Sequence, residues 1–308
     1  MKFITFSEII NLNITPQECV NWARDAIIHK REFVLPPKTS IKFNDNNSFF
    51  NTMPSMLPNQ DSFGIKLVSR FPERTPSLKA DILLYKASTG DLLAFMDGTW
   101  ITTWRTGAVA AITIDSLQSS KTETYSFVGL GNTARSTLLC LNTLNNNKKL
   151  NVQLLAYKNQ HEDFIKRFSN FKNIHFTVLT DIKEMFRQSD VIISCITSTN
   201  TVLADESTFK AGTLIVPVHT RGFQNCDLTF DRIFCDDIGH IKDFKYFNQY
   251  KSVLEITDVL NNSSFSRNDS ERILAYNIGV STQDIFFAKK IYDKISDEET
   301  LLNTKFWV

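Results

Sequence analysis

Hydrophobic and polar positions follow different rules in successive stretches of this chain. Over residues 15–29 the apolar positions recur at helical spacing, with Thr15 placed to cap the first turn and Pro16 at its first position. Residues 62–69, 80–86 and 92–96 instead read as strands, and Ser88-Thr89-Gly90 makes a hairpin turn between the last two. Up to about residue 113 the pattern therefore predicts an antiparallel or mixed sheet with a helix against it. From 123 to 260 strands alternate with helices. The strands are expected at 125–128, 151–156, 175–179, 191–194, 213–218 and 232–235, and the helices at 133–143, 161–168 and 182–188. Such alternation implies right-handed crossovers and a parallel sheet covered on both faces. Val191-Ile192-Ile193 is a continuous apolar run, as a central buried strand requires. The texture changes again near 266–281, and 282–294 reads as an amphipathic helix. Residues 142–147 and 261–264 are polar loops, and no internal repeat is visible.

One junction in the alternating stretch carries chemistry. The run Tyr125-Ser126-Phe127-Val128 stops at Gly129, Gly131 follows, and Ala134, Leu138 and Leu139 then fall at helical spacing. This strand, tight turn and helix supply the context that a Gly-x-Gly-x-x-Gly/Ala fingerprint needs. Gly129 permits the turn, Gly131 lets backbone approach a pyrophosphate, and Ala134 is small enough for helix-on-strand packing. The free N–H groups at the helix start, at Asn132 and Thr133, would face phosphate oxygens. The competing reading is an ordinary strand–helix turn that binds nothing.

Composition narrows the partners. The 308 residues suffice for one large domain or two of ordinary size, and 42% hydrophobic with 22% charged residues suits a globular protein. A formal net charge of +1 offers no reason to expect nucleic acid or an anionic membrane surface. No apolar run approaches the roughly 20 residues of a membrane span, and residues 1–8 lack a signal-peptide core. Five dispersed cysteines suggest buried thiols in a reducing compartment, so a cytoplasmic location is expected. The five histidines lack zinc-site spacing, and no metal is expected.

A second dense segment lies upstream. Asp97, Thr102, Arg105, Thr106, Gly107 and Ala108 fall in an Asp-x-x-x-x-Thr-x-x-Arg-Thr-Gly-Ala arrangement that resembles the ornithine cyclodeaminase/mu-crystallin family. Met53-Pro54, Gly64-Ile65-Lys66-Leu67-Val68, Val128-Gly129-Leu130-Gly131 and Ile278-Gly279-Val280-Ser281-Thr282-Gln283-Asp284 match in order, so the resemblance covers residues 31–295. It implies an α/β fold: a Rossmann-type dinucleotide-binding domain, at 114–281, inserted in an α+β substrate-binding and dimerisation domain made of 1–113 and 282–308. The family's activities are ornithine cyclodeamination, amino-acid dehydrogenation and reduction of imines formed from 2-oxo acids.

All of these hold an α-carboxylate beside a reacting carbon. Arg105 sits where the family places a carboxylate-binding arginine, whose planar fork grips both oxygens. Lys66 matches the family's strand lysine, which holds the same carboxylate or poises a proton-transfer group. The alternatives are a surface ion pair for Arg105 and a solvated strand lysine for Lys66. The family's Pro-x-Arg is replaced by Pro36-Pro37-Lys38, which keeps charge but loses bidentate geometry. The cyclodeaminase glutamate before Met-Pro is absent, the preceding residues being Phe50-Asn51-Thr52, and His219 stands in place of the cyclodeaminase aspartate. Both changes count against cyclodeamination. His219, at the carboxyl edge of a parallel sheet, is the expected general acid/base, and Arg221 would meet a second anionic group. Asp227 is expected to be structural.

Thr106, Tyr157, Thr197, Ser198 and His219 complete the expected cofactor contacts, while Cys195 is expected to be buried and not nucleophilic. The second strand of the dinucleotide unit ends without a carboxylate, and Lys158 offers positive charge there, which favours NADP over NAD. The expected function is therefore an NAD(P)-dependent oxidoreductase acting at an amino-acid Cα or on an imine, as a homodimer. An ammonia lyase with tightly bound NAD and a non-catalytic dinucleotide-binding protein are the alternatives.

Overall fold

The structure is a computed structural model that describes residues 1–45, 47–196, 199, 201–219 and 222–295. The chain divides into two compact units, one formed by Met1–Arg105 together with the segment that begins at Val280, the other by Thr106–Gly279. The first crossing falls inside a helix and the second just ahead of one.

The first unit begins with β1 (Lys2–Ile4), α1 (Phe6–Asn11) and α2 (Pro16–Ile28). Both helices open with a complete capping box, Thr5 with Glu8 and Thr15 with Glu18, and Pro16 occupies the first position of α2. Then come β2 (Thr39–Lys42), β3 (Phe49–Leu57), β4 (Ser62–Arg70), β5 (Leu78–Lys86) and β6 (Leu92–Asp97). They form a mixed six-stranded sheet in the order β1-β6-β5-β4-β3-β2, with β1 parallel to β6 and the other pairs antiparallel. The turn after β5 forms where Ser88-Thr89-Gly90 predicts it, with Gly90 at φ +77°.

Alternation along the strands sorts the sheet into two faces. Met53, Lys66, Val68, Ile82, Leu84, Ala94 and Met96 are buried on one face. A helix rich in apolar side chains, introduced below as the last element, covers that face: a Cβ on Gly64 would stand 2.7 Å from Ile285.

The second unit follows α3 (Thr99–Leu117), the helix inside which the chain passes from one unit to the other. Its elements are β7 (Thr124–Val128), α4 (Asn132–Leu144), β8 (Leu150–Leu155), α5 (Gln160–Arg167), β9 (Ile174–Leu179), α6 (Ile182–Gln188), β10 (Val191–Ser194) and β11 (Leu214–Pro217). They continue with β12 (Arg232–Cys235), α7 (Ile238–Ile241), β13 (Val253–Glu255), α8 (Ile256–Leu260) and β14 (Ile273–Tyr276). The sheet is parallel throughout, in the order β13-β12-β14-β11-β10-β7-β8-β9. Strand order reverses between β7 and β10, which makes their carboxyl ends the topological switch point where ligands bind in such sheets. Val191, Ile192 and Ile193 are fully buried, each contributing about 1.5–3 kcal/mol through burial. Phenylalanines fill both sides of this unit: Phe164 meets Phe127, Phe168 and Phe176, while Phe186, Phe209, Phe223 and Phe230 pack in a chain of ring contacts.

The last described element, α9 (Ser281–Lys294), returns to the first unit and packs on α2 through an edge-on contact of Phe287 with Trp22.

Candidate functional site

The second unit carries a dinucleotide-type turn at its switch point. Gly129 ends β7 at φ +82°, and a Cβ there would lie 2.8 Å from the backbone carbon of Cys195, just past β10. Only glycine meets both demands. Gly131 is the N-cap of α4 and offers no side-chain cap, and a Cβ on it would meet nothing within 4 Å. The first N–H groups of the helix, Asn132 and Thr133 among them, thus begin α4 with space beside the cap. Ala134 is fully buried, as close helix–strand packing requires. A bare glycine turn, open space at the second glycine and a thirteen-residue helix behind it fit a pyrophosphate.

The rest of α4 is pressed from behind by α3. A Cβ on Gly107 would stand 2.6 Å from the backbone carbon of Ser136 and 2.6 Å from the backbone nitrogen of Thr137. The glycine of the Arg-Thr-Gly motif therefore lets two helices touch backbone to backbone, and Thr106 precedes it in the same helix.

His219 lies just beyond β11, where its Nε2 is 2.6 Å from the Oγ of Ser194, a fully buried residue that ends β10. The two strand ends are held in step by Val218, whose N–H donates to the Ser194 carbonyl. The imidazole thus stands at the carboxyl edge of the sheet, anchored through one ring nitrogen. Asn277, immediately after β14, is 2% exposed, and neither its amide oxygen nor its amide nitrogen finds a partner among the described residues. Its backbone N–H donates to the Pro217 carbonyl, and the next two N–H groups, of Ile278 and Gly279, donate to the buried Asp236 carboxylate. A buried amide with nothing to bond is costly, about 1–3 kcal/mol per group, and Asn277 follows a strand that ends at the carboxyl edge of the sheet, where ligands bind in folds of this type.

Lys158 and Asn159 both adopt positive φ, +45° and +59°, beyond the end of β8. Tyr157 is 58% exposed and the Lys158 ammonium lies 5.3 Å from its ring centroid. Cys195 is half-buried where full burial was expected, because it lies just past the end of β10, and desolvation still pushes its thiol up to about 12, so it is not a thiolate at neutral pH. Asp227 is buried and accepts a hydrogen bond from the Tyr276 hydroxyl at 2.7 Å; burial pushes its carboxyl up to about 6. Thr197, Ser198 and Arg221 lie outside the described residues.

The first unit carries a different constellation. Lys66, on β4, is 1% exposed and its Nζ donates to Asp284 Oδ2 at 2.6 Å. Arg105, on α3 and 5% exposed, donates from Nε to Asp284 Oδ1 at 2.9 Å. Neither is the solvated or surface residue of the alternative readings. Burial lowers the Lys66 pKa to about 8, and the positive charges of Arg105 and, more weakly, Lys38 act in the same direction, with Asp284 opposing them. Strand register explains the company of Lys38: Thr39 faces Thr52 on β3, so Lys38 precedes a pair that is one step from Met53, which itself faces Lys66. Two buried cations share one carboxylate, and a third cation, Lys38, acts on the charge of Lys66, an arrangement suited to receive an anion.

Asp284 and Asn277 join the candidate site although neither was among the site residues expected, Asp284 having entered only as the end of the matched 278–284 segment. Asp284 had a signal: it interrupts the apolar stripe of α9, between Ser281 and Ala288 and beside Ile285, where a buried charge needs partners. Asn277 had none, because nothing local distinguishes a buried asparagine from a loop one. Among the described residues no group of three or more His, Cys, Asp or Glu is placed to hold a metal ion, and no helix is long and apolar enough to cross a membrane.

The chain is similar to several known proteins. The Δ1-pyrroline-2-carboxylate reductase of Colwellia psychrerythraea is 24% identical over 326 aligned positions, covering 96% of this chain and all of that one. The ketimine reductase mu-crystallin of Mus musculus is 27% identical over 56% of this chain and 54% of its own length. The solved structure of Thermococcus litoralis Δ1-pyrroline-2-carboxylate reductase, in complex with NADH and L-proline, superposes with a TM-score of 0.85 at 22% identity, covering 99% of this chain and 100% of that one. Residues 2–299 match the ornithine cyclodeaminase/mu-crystallin family, and the chain is a member of it.

Proposed function

We propose that this protein is an NAD(P)-dependent imine reductase that acts on a carbon–nitrogen double bond adjacent to a carboxylate, yielding an amino acid. The observation that carries this reading is the buried cationic pair Lys66 and Arg105, built around Asp284 in the first unit. Two buried cations share the single negative charge of Asp284, and the positive charge left over is costly unless a further anion meets it, which an α-carboxylate does. Arg105 binds the carboxylate as a fork, and Lys66 and Lys38 add point charges. His219 holds or delivers the proton that the substrate nitrogen gains, with Ser194 fixing its ring.

Gly129, Gly131, Asn132, Thr133, Ala134, Thr106 and Asn277 are the residues assigned to the dinucleotide, together with Thr197 and Ser198. When bound, the cofactor supplies the hydride. Lys158 and Tyr157, at the end of β8, favour a cofactor with a 2′-phosphate, so NADPH is the proposed form. Arg221 is assigned to a second anionic group on the substrate.

The relatives named Δ1-pyrroline-2-carboxylate reductase and ketimine reductase support cyclic imino acids as the first substrates to examine. Cyclodeamination is disfavoured, because Asn51 and Thr52 stand where cyclodeaminases carry a glutamate and His219 where they carry an aspartate. We place the enzyme in the cytoplasm as a homodimer. The sheet face turned away from α9 carries half-buried Phe63, Ile65, Leu67, Leu83, Tyr85 and Phe95, an apolar surface suited to a second copy.

The test is spectrophotometric. NADPH or NADH is supplied with Δ1-pyrroline-2-carboxylate and with mixtures of 2-oxo acids and amines, and loss of reduced nicotinamide absorbance is followed. Silence across that panel, from protein that binds cofactor by calorimetry, overturns the reading. Release of ammonia from ornithine without net cofactor turnover decides for the lyase instead.

A further inference from the structure

We infer that Asp284 is the positioning residue of the carboxylate site: it orients Arg105 by occupying its Nε edge and holds Lys66 in the cationic form, so that the Nη1 and Nη2 end of the guanidinium is left to receive the substrate. The inference rests on the imino-acid reading above and assigns one side chain the task of building its anion site.

The geometry is specific. Asp284 is fully buried in the first turn of α9, and its two oxygens are divided between two cations, Oδ1 to Arg105 Nε and Oδ2 to Lys66 Nζ. A guanidinium offers two bidentate edges, and engagement of Nε fixes which remains. No acceptor for Nη1 or Nη2 lies among the described residues, although Arg105 is only 5% exposed. The charges that face the Lys66 ammonium are Asp284 from α9, Arg105 from α3 and Lys38 from the segment before β2. Of these, Asp284 alone favours the ammonium, so without it two neighbouring cations would repel a buried lysine and drive off its proton. A single carboxylate therefore sets both the direction of the arginine and the charge of the lysine.

The experiment compares the full-length wild type with Asp284→Asn and Asp284→Glu, using the best imine from the panel above. Asp284→Asn is expected to raise KM for the imine roughly thirty-fold or more, the scale for breaking a buried charge pair. It should also move the alkaline limb of kcat/KM to lower pH, with cofactor Kd unchanged. Asp284→Glu, which keeps the charge but displaces it by one methylene, should raise KM and leave the alkaline limb near its wild-type position. An Asp284→Asn enzyme with wild-type KM and an unmoved limb overturns the inference. So does a loss of imine binding matched by an equal loss of cofactor binding, which would report general disruption. If Asp284→Asn does not fold, Asp284→Glu decides, and an unchanged KM overturns it. Should the wild type turn over no imine, calorimetry with the unreactive pyrrole-2-carboxylate separates the two questions. Tight binding by the wild type and weak binding by the Asp284 variants sustains the positioning role while the reductase reading fails, and equal binding by all overturns it.

Discussion

Gly107 and Ser136 meet backbone to backbone where α3 crosses α4, so closely that a Cβ on Gly107 would lie 2.6 Å from the Ser136 backbone carbon. No side-chain rotation relieves a clash with backbone, so the helices would have to part. Gly107→Ala is therefore expected to cost about 1–3 kcal/mol of stability and to displace the helix that begins at the dinucleotide turn. Thermal unfolding and calorimetric cofactor binding check this together: a lower Tm and a weaker Kd are expected in the same variant.

The two glycines of the turn should behave differently. Gly129 sits at φ +82° against Cys195, whereas a Cβ on Gly131 has open space around it. Gly129→Ala is expected to lower Tm and weaken cofactor binding together. Gly131→Ala is expected to leave Tm unchanged while weakening cofactor binding, because the added methyl occupies the approach to the phosphates. Equal cofactor affinity in wild type and Gly131→Ala would remove that turn from the cofactor site.

Lys66 ties activity to pH. Its pKa, lowered by burial to about 8 from the ordinary 10.5, implies that the ammonium is lost as pH rises through 8. Affinity for the substrate carboxylate should fall above that pH, and Lys66→Met should abolish this alkaline limb along with most substrate binding. The stability effect has the opposite sign. Between about 8 and 10.5 the unfolded lysine holds its proton while the folded one does not, so this group makes the fold more stable as pH rises across that window. Denaturant titrations of wild type and Lys66→Met across the window measure it.

Asp227 supplies a second pH effect on the fold. Burial pushes its carboxyl up to about 6, above the ordinary 3.8 of an unfolded chain. The folded state therefore binds the extra proton between those values, and stability falls as pH rises from about 4 to 6. Asp227→Asn keeps an acceptor for the Tyr276 hydroxyl and removes the charge. It is expected to flatten that part of the stability profile and to raise Tm at pH 7.

Lys158 tests the choice of cofactor. Lys158→Ala is expected to raise KM for NADPH about tenfold with little change for NADH, since a lysine near a 2′-phosphate contributes a charge-assisted hydrogen bond. An equal change for both cofactors would detach this residue from the 2′ position.

Much of this is legible in the sequence. The alternation of strands and helices from β7 to β10, the buried run Val191-Ile192-Ile193 and the glycine turn at Gly129 are local signals, each set by periodicity or backbone freedom within a few residues. The capping of α2 by Thr15 with Pro16 behind it is of the same kind. The strands β3, β13 and β14 were not expected; each is placed by the hydrogen bonds that neighbouring strands offer it.

Local sequence alone determined the alternating elements from β7 to β10, the glycine turn between β7 and α4 and the presence of Lys66 and Arg105 in recognisable motifs. Only the tertiary structure decided what those cations are. Lys66 and Asp284 are 218 positions apart and Arg105 and Asp284 are 179, yet they share one carboxylate, because the last helix returns to the first sheet. Likewise, Ser194 and His219 meet because β10 and β11 pair in register. Burial and charge pairing belong to surfaces brought together by the fold, and a linear pattern holds no record of which distant surface will cover a given side chain.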